Sequence, residues 1–241
     1  MTEFLPVLIM NARPAAGKSE ITHFLQNLPV EKRIARFHIG PVHVLDDFPM
    51  LWAWFEEDDI LTRVFQRPRL YTTPDGYFLH NDLWHLLIQR LSLEYSKWHR
   101  DIQEAQTCLI EFSRGNESGG YQSAYQHLSD QILEKVACLY VNVSYEESVR
   151  KNRLRANPDR PDSVLEHSLD EGKMATAYRH DDWQSFSAGD PNYLHIRSFD
   201  IPYAIFENED DVTTKGGTPL AARLEEALGR LWTLWQVRQA V

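Results

Sequence analysis

The chain predicts an α/β domain in three layers, a mostly parallel sheet with helices on both faces, and three observations carry that expectation. The apolar run Leu5 to Met10 is short enough for an interior strand and too short to span a membrane, and it leads through a tight turn into a helical pattern. Two further β-like runs, Cys108 to Phe112 (CLIEF) and Ala137 to Val143 (ACLYVNV), recur down the chain, and the second is rich in residues that suit a sheet covered on both sides. Helical stretches separate these runs, which is the alternation of a doubly wound sheet.

The turn after the first run is the most informative stretch. Ala12 to Ser19, ARPAAGKS, has the spacing G-x-x-x-x-G-K-[ST] with Ala12 in place of the first glycine. In such a loop successive backbone amides point inward at phosphate oxygens, and the helix that opens near Gly17 adds its positive N-terminal dipole. Arg13, Pro14, Ala15, Ala16 and Gly17 would line the cradle, and Lys18 would reach the β- and γ-phosphates. The Ser19 hydroxyl would ligate magnesium. If position 12 required a positive φ, alanine would be strained there. Ile21, Phe24 and Leu25 follow at helical spacing.

This octapeptide resembles the loop of the nucleoside monophosphate kinase-like branch of P-loop kinases, in which proline also commonly occupies the third position. Family glycines are replaced at Ala12 and Ala15. The resemblance implies a three-layer P-loop NTPase fold with a helical insertion and a lid, and a requirement for ATP and Mg2+.

Composition sets the bounds. With 241 residues, 43% hydrophobic, and a formal charge of −10, the chain suits one domain, 1–241, with a helical insertion. The acidic balance argues against broad nucleic-acid binding. No basic segment precedes the first apolar run and no lengthy hydrophobic stretch follows, so a membrane partner is not expected and a cytoplasmic location is. Cys108 and Cys138 begin apolar runs and read as small buried hydrophobes.

Arg36 to Ile39 and Val42 to Leu45 read as a second strand region, interrupted by Gly40-Pro41 and ending in Asp46-Asp47. Ligands of doubly wound sheets sit beyond the carboxyl ends of the strands, so acids here are placed to face a transferring phosphate. The resemblance to small-molecule P-loop kinases implies Asp46 or Asp47 as the base toward an acceptor hydroxyl. The alternative is a helix cap before Phe48-Pro49. Residues 48–106 are rich in aromatics, from Trp52 to Trp98, most of which read as ordinary core, with Arg63, Arg67 and Arg69 among them as candidates to hold an anionic substrate group. This segment predicts a mainly helical substrate-binding insertion, in which Asn81 or Asp82 caps a helix carrying Leu83, Leu86, Leu87 and Leu91 on its apolar side. The run Glu56 to Asp59 reads as a solvated helix face, and the spacing of His80 and His85 does not suit a metal pair.

The strand CLIEF ends in Glu111, a candidate for holding magnesium through water, with Arg114 three residues on as a bidentate grip for a substrate or phosphate oxygen. The step Phe112-Ser113-Arg114 resembles the Phe-Pro-Arg of nucleoside monophosphate kinases, which implies an arginine on the acceptor phosphate. The family's aspartate falls at Ile110, so Glu111 is offset by one residue. A structural pairing of Glu111 with Arg114 is the alternative. A single helix is expected from Tyr121 to Val136.

After the fourth strand, Ser144 and Glu147 predict a capping box. The helix carries Arg150, Lys151, Arg153 and Arg155. An arginine-bearing lid over residues 144–185 fits this cluster, with Arg150 and Arg153 neutralising the transferring phosphoryl group and Arg155 on the nucleotide. The placement resembles the lid of the same kinases. Asp159, Asp162, Asp170, Asp181 and Asp182 are candidate latches for the arginines. Asn192 to Ile196 and Tyr203 to Phe206 are short β-like pieces, the latter being the better candidate for the last core strand. A polar turn, Asn208 to Gly217, then leads to a helix capped by Thr218 with Pro219 at its first position. Its stripe Leu220, Leu224, Leu228, Leu231 and Trp235 docks on the sheet, and a homodimer contact through Trp232 and Trp235 ranks second.

These features lead to an expectation of ATP- and magnesium-dependent phosphoryl transfer to a small-molecule acceptor, a nucleoside, nucleotide or related metabolite. A slowly hydrolysing nucleotide switch and a sulfotransferase-like enzyme are the alternatives.

Overall fold

A computed structural model of the chain describes residues 3–155 and 169–240. The first strand, β1 (Val7–Ala12), is buried along its whole length and feeds α1 (Lys18–Gln26). A short α2 (Val30–Phe37) returns the chain to β2 (Val42–Asp46), and two long helices follow, α3 (Asp47–Arg63) and α4 (Leu83–Asp101). After β3 (Thr107–Phe112) come the short α5 (Gly120–Gln126) and α6 (Asp130–Leu133), then β4 (Val136–Asn142) and α7 (Tyr145–Arg155). The chain resumes in α8 (Glu171–Tyr178) and α9 (Trp183–Ser187), makes a hairpin of β5 (Tyr193–Ile196) and β6 (Phe199–Glu207), and ends in α10 (Val212–Lys215) and α11 (Gly217–Gln239).

Among the described residues the strands form one sheet in the order β2-β3-β1-β4-β6-β5, parallel throughout except for the β5–β6 pair. Period-two alternation sorts the buried side chains into two layers. Leu8, Met10, Leu109 and Leu139 face α1, α2 and α11, packing with Ile21, Phe37, Leu224 and Leu228. Val7, Ile9, Ile110 and Cys138 face the other way, against Leu91 and Tyr95 of α4 and Tyr121 and Tyr125 of α5. The sheet is therefore covered on both faces, as expected, and Trp235 lies inside the first layer, donating from its indole to the Lys135 carbonyl at 2.9 Å.

Several local expectations are corrected. Arg36 and Phe37 end α2 rather than starting a strand, because Arg33 and Phe37, one turn apart, are both buried and His38 closes the helix in the left-handed region, at φ 54°. The helix expected from Tyr121 to Val136 is two, because the chain turns at Ser129, whose amide is held by the Ser92 hydroxyl, and Val136 already belongs to β4. Leu86 is 46% exposed rather than on the buried face of α4. The last helix begins at Gly217, before Thr218. At Ser144 the hydroxyl accepts from the Glu147 amide, but the reciprocal arm comes from Glu209, whose carboxylate accepts from the Ser144 amide. Asp159 and Asp162 lie outside the described residues.

The acidic run on α3 is not uniformly solvated. Asp58 is fully buried, and its carboxylate accepts from the amides of Leu70, Tyr71 and Thr72 and from the Thr72 hydroxyl, at 2.6 to 3.0 Å. These bonds pull its carboxyl below the usual carboxylate range against the opposing effect of burial, and they fix the returning segment against α3. Asp58→Ala would leave those donors without an acceptor. Urea unfolding is expected to show a loss of about 3 kcal/mol, with Asp58→Asn losing less.

Candidate functional site

The loop joining β1 to α1 is held by its carbonyls. The Pro14 carbonyl accepts from the Ser148 hydroxyl of α7 at 2.7 Å, the Ala16 carbonyl from the Asn208 amide at 2.8 Å, and the Arg13 carbonyl from the Ala16 amide. With the carbonyls bound to the surrounding frame, the first amides of α1, which have no acceptor within the helix, are left for an anion. Gly17 has φ 115°, and a Cβ there would lie 2.6 Å from the Thr213 hydroxyl and 2.8 Å from the Asn208 amide nitrogen. Glycine is thus required by conformation and by the close approach of the 208–213 turn. Ala12 ends β1 in the strand, so alanine carries no strain there; the positive φ falls at Ala15, at 57°.

The turn after β6 is itself braced. Lys151 of α7 is buried and bonds the Asp211 carboxylate at 2.7 Å and the Thr213 hydroxyl at 3.0 Å. Ser148 was not among the sequence candidates, Lys151 entered only within the basic cluster of its helix, and Asn208 only as the start of a polar turn. Their contacts reach across tens to hundreds of residues of chain, and only the position of Asn208 just past the last core strand could have hinted at its role.

Below the loop three carboxylates gather. Lys18 donates to the Ser113 hydroxyl at 2.8 Å. Glu111 accepts from Thr22 of α1 at 2.8 Å, so it lies on the face of β3 that α1 covers, and Ile110 lies on the other. Asp46 is in register with Glu111 on the neighbouring strand and caps α3 by accepting from the Phe48 amide. Burial first, then the charges of Asp47 and Glu111, push the Asp46 carboxyl up to about 7, while Lys18 pulls it down. Burial likewise raises Glu111, opposed by Lys18. Asp47 is held differently: its carboxylate meets the Arg114 guanidinium at 2.6 Å, both side chains buried. Arg114 therefore pairs with Asp47 and not with Glu111. It also donates to the Trp84 carbonyl and lies over the Trp84 ring, 5.1 Å from its centroid.

A cleft of about 600 Å³ joins these groups. Pro14, Ala15, Lys18, Ser19, Asp46, Asp47, Glu111, Arg114 and Arg155 are among the residues that line it. Arg150 and Arg153 do not reach it. Five residues along an α-helix from Arg150 to Arg155 turn the side chain by roughly 140°, so Arg155 shares the cleft with Asn152, whereas Arg150 pairs with Glu147 and Asp211 and Arg153 with Glu171 on exposed surface. Arg13 also points elsewhere: its guanidinium meets Asp181 at 2.8 Å and the Val143 carbonyl at 3.0 Å, leaving its backbone to the loop. Among the aspartates expected to latch the lid, Asp181 takes this partner, Asp182 caps α5 through the Tyr121 and Gln122 amides, and Asp170 caps α8. Among the described residues no cluster of three or more His, Cys, Asp and Glu side chains is arranged to hold a metal unaided, and no helix is long and apolar enough to cross a membrane.

No protein family model and no curated protein matches this chain. Solved structures do resemble it. Kti12 from Chaetomium thermophilum, in complex with ADP-AlF3, is 13% identical, with a TM-score of 0.52 over 95% of this chain and 98% of that one. A sugar kinase from Janibacter sp. HTCC2649 is 12% identical, with a TM-score of 0.44 over 95% and 96% of the two chains. Shikimate kinase from Acinetobacter baumannii, in complex with shikimate, is 10% identical, with a TM-score of 0.32 over 72% and 76%. The parallel sheet, the glycine-lysine loop that leaves its central strand, and the likeness to Kti12 over nearly the whole of both chains agree on one architecture: this chain has the P-loop kinase-like fold.

Proposed function

We propose that this chain is an ATP- and magnesium-dependent phosphotransferase that moves the terminal phosphoryl group to a hydroxyl of a small molecule, a nucleoside, nucleotide or related metabolite. The observation that carries the reading is the continuity of the cleft: the phosphate loop and Lys18, the carboxylates, and the aromatic segment between β2 and β3 all line it. A nucleotide switch has no use for that aromatic lining. In this reading residues 48–106 form the acceptor side and α7 brings Arg155 to the donor.

Each side chain then has a task. The amides of Ala15 to Ser19 and the Lys18 ammonium hold the phosphates and neutralise charge as it develops on them. Asp46 accepts the proton of the acceptor hydroxyl while the acceptor oxygen forms its bond to phosphorus and the bond to the departing nucleoside diphosphate breaks. Asp47, already neutralised by Arg114, is a positioning residue for α3 rather than the base. Ser19 and Glu111 are the residues that would hold magnesium, and the donor set suits it, because the mutual repulsion of Asp46, Asp47 and Glu111 is relieved by a divalent cation. When bound, magnesium supplies further neutralisation of the phosphate oxygens.

Release of ADP should depend on an acceptor, and Lys18→Ala should lower kcat/KM by about 100-fold or more. Acceptor-independent hydrolysis of the same size in both proteins contradicts the reading and favours a switch. The Asp46 carboxyl, raised to about 7, makes kcat/KM fall with pH below that value as the base is protonated, a fall absent from the residual activity of Asp46→Asn. Stability runs the other way. A folded pKa above the unfolded one stabilises fully only at pH below the unfolded value, and the contribution is lost as pH rises through the folded one. Ligand-free Asp46→Asn should therefore melt higher than the parent at about pH 8, with the gap closing toward about pH 4.

A further inference from the structure

The acceptor end of the cleft differs in kind from the donor end. Its wall is a continuous aromatic chain: Phe55 stacks on Phe78 with ring centroids 5.9 Å apart, Phe78 meets Trp84 edge-on at 4.7 Å, and Trp52 and Tyr77 extend the surface on either side. The arginines that reach this end already hold carboxylates, and the remaining basic group there is Lys173. Arg114 is 1% exposed and holds Asp47; Arg69 holds Asp59 at 2.6 Å and lies 4.0 Å from Asp58. Lys173 of α8 lies over the Tyr77 ring, 5.6 Å from its centroid, and packs on Gly76. Arg155 acts electrostatically on Glu111, at the donor end. Exposed on the same cleft are three acids, Glu56, Glu117 and Asp59, the last paired with Arg69.

Resting on the phosphotransferase reading above, the geometry points to an uncharged or cationic acceptor with a flat apolar body, an aromatic or heteroaromatic alcohol, and away from one that already carries a phosphate. A phosphate in this compartment would meet aromatic faces and the acids Glu56 and Glu117, with the single ammonium of Lys173, which already lies over the Tyr77 ring, set against them, and burying its charge there is costly. A ring is favoured by stacking on Trp84 and Phe55, and a positive charge by those same faces and acids. The resemblance at Phe112-Ser113-Arg114 implies an arginine on an acceptor phosphate; here the Asp47 ion pair occupies that arginine.

The test is direct binding in the presence of saturating MgADP, measured by calorimetry on the full chain, with matched pairs that share one ring body: adenosine and AMP, thymidine and dTMP, 2-phenylethanol and 2-phenylethyl phosphate, with tyramine as the cationic probe. The neutral or cationic member of at least one set should bind roughly tenfold or more tightly than its phosphorylated counterpart. Glu56→Lys with Glu117→Lys should narrow that gap, and Phe55→Ala should weaken the preferred member with MgADP affinity unchanged. Tighter binding of the phosphorylated members, or no binding by any probe while MgADP still binds, overturns the inference and leaves the phosphate-loop reading intact. Failure of MgADP itself to bind overturns the reading on which it rests.

Discussion

The rest of the molecule depends on one constraint, the clamping of the phosphate loop by its own carbonyls. A turn of eight residues has as many ways to bury its amides as to present them, and presentation prevails here because Ser148, Asn208 and the Ala16 amide occupy the carbonyls of Pro14, Ala16 and Arg13. Gly17 then sits against Thr213 with no room for a side chain. The clamp draws on the loop itself, α7 and the turn after β6, so the shape of the loop is set by elements at the carboxyl ends of several strands rather than by the loop alone. Lys151, buried and bonded to Asp211, ties two of those three elements together.

Charge is distributed with similar economy. Three carboxylates crowd beneath Lys18, and they do not share one environment. Arg114 neutralises Asp47, Thr22 hydrogen-bonds Glu111, and Asp46 accepts from a backbone amide, with two like charges beside it and Lys18 opposing them. That inequality of partners distinguishes two adjacent aspartates that the sequence alone leaves equivalent. It also explains why α3 begins where it does, since Asp46 is at once the end of β2 and the cap of the helix.

Much of this was legible in the chain. The strands around Leu8, Leu109 and Leu139, the loop from Ala12 to Ser19, and the stripe ending at Trp235 follow from local periodicity and spacing, and the fold places them as those patterns imply. What escaped was decided by contacts distant in sequence. Asp58 reads as one acid in a solvated run because its acceptors' partners lie a dozen residues away. Arg13 reads as a phosphate ligand until Asp181 and Val143 are brought to it by the segments that follow α8 and β4. Arg150 and Arg155 look equivalent in a basic cluster, and only the pitch of α7 sends them to different surfaces. Glu111 illustrates the opposite case. Offset by one residue from its expected position, it still meets α1, because strand parity and the residues on either side of it settle which face it takes.

Ala15 has a consequence of its own. Held at φ 57°, it adopts a backbone state that glycine enters freely and alanine enters at some cost. Alanine also has fewer conformations to lose. A loop so built is ordered before any anion arrives, and the entropy of arranging it is charged to folding instead of to association. Preorganisation of this kind leaves the free and occupied loops alike in shape, which favours rapid, rigid capture over a turn that must first gather itself around its ligand.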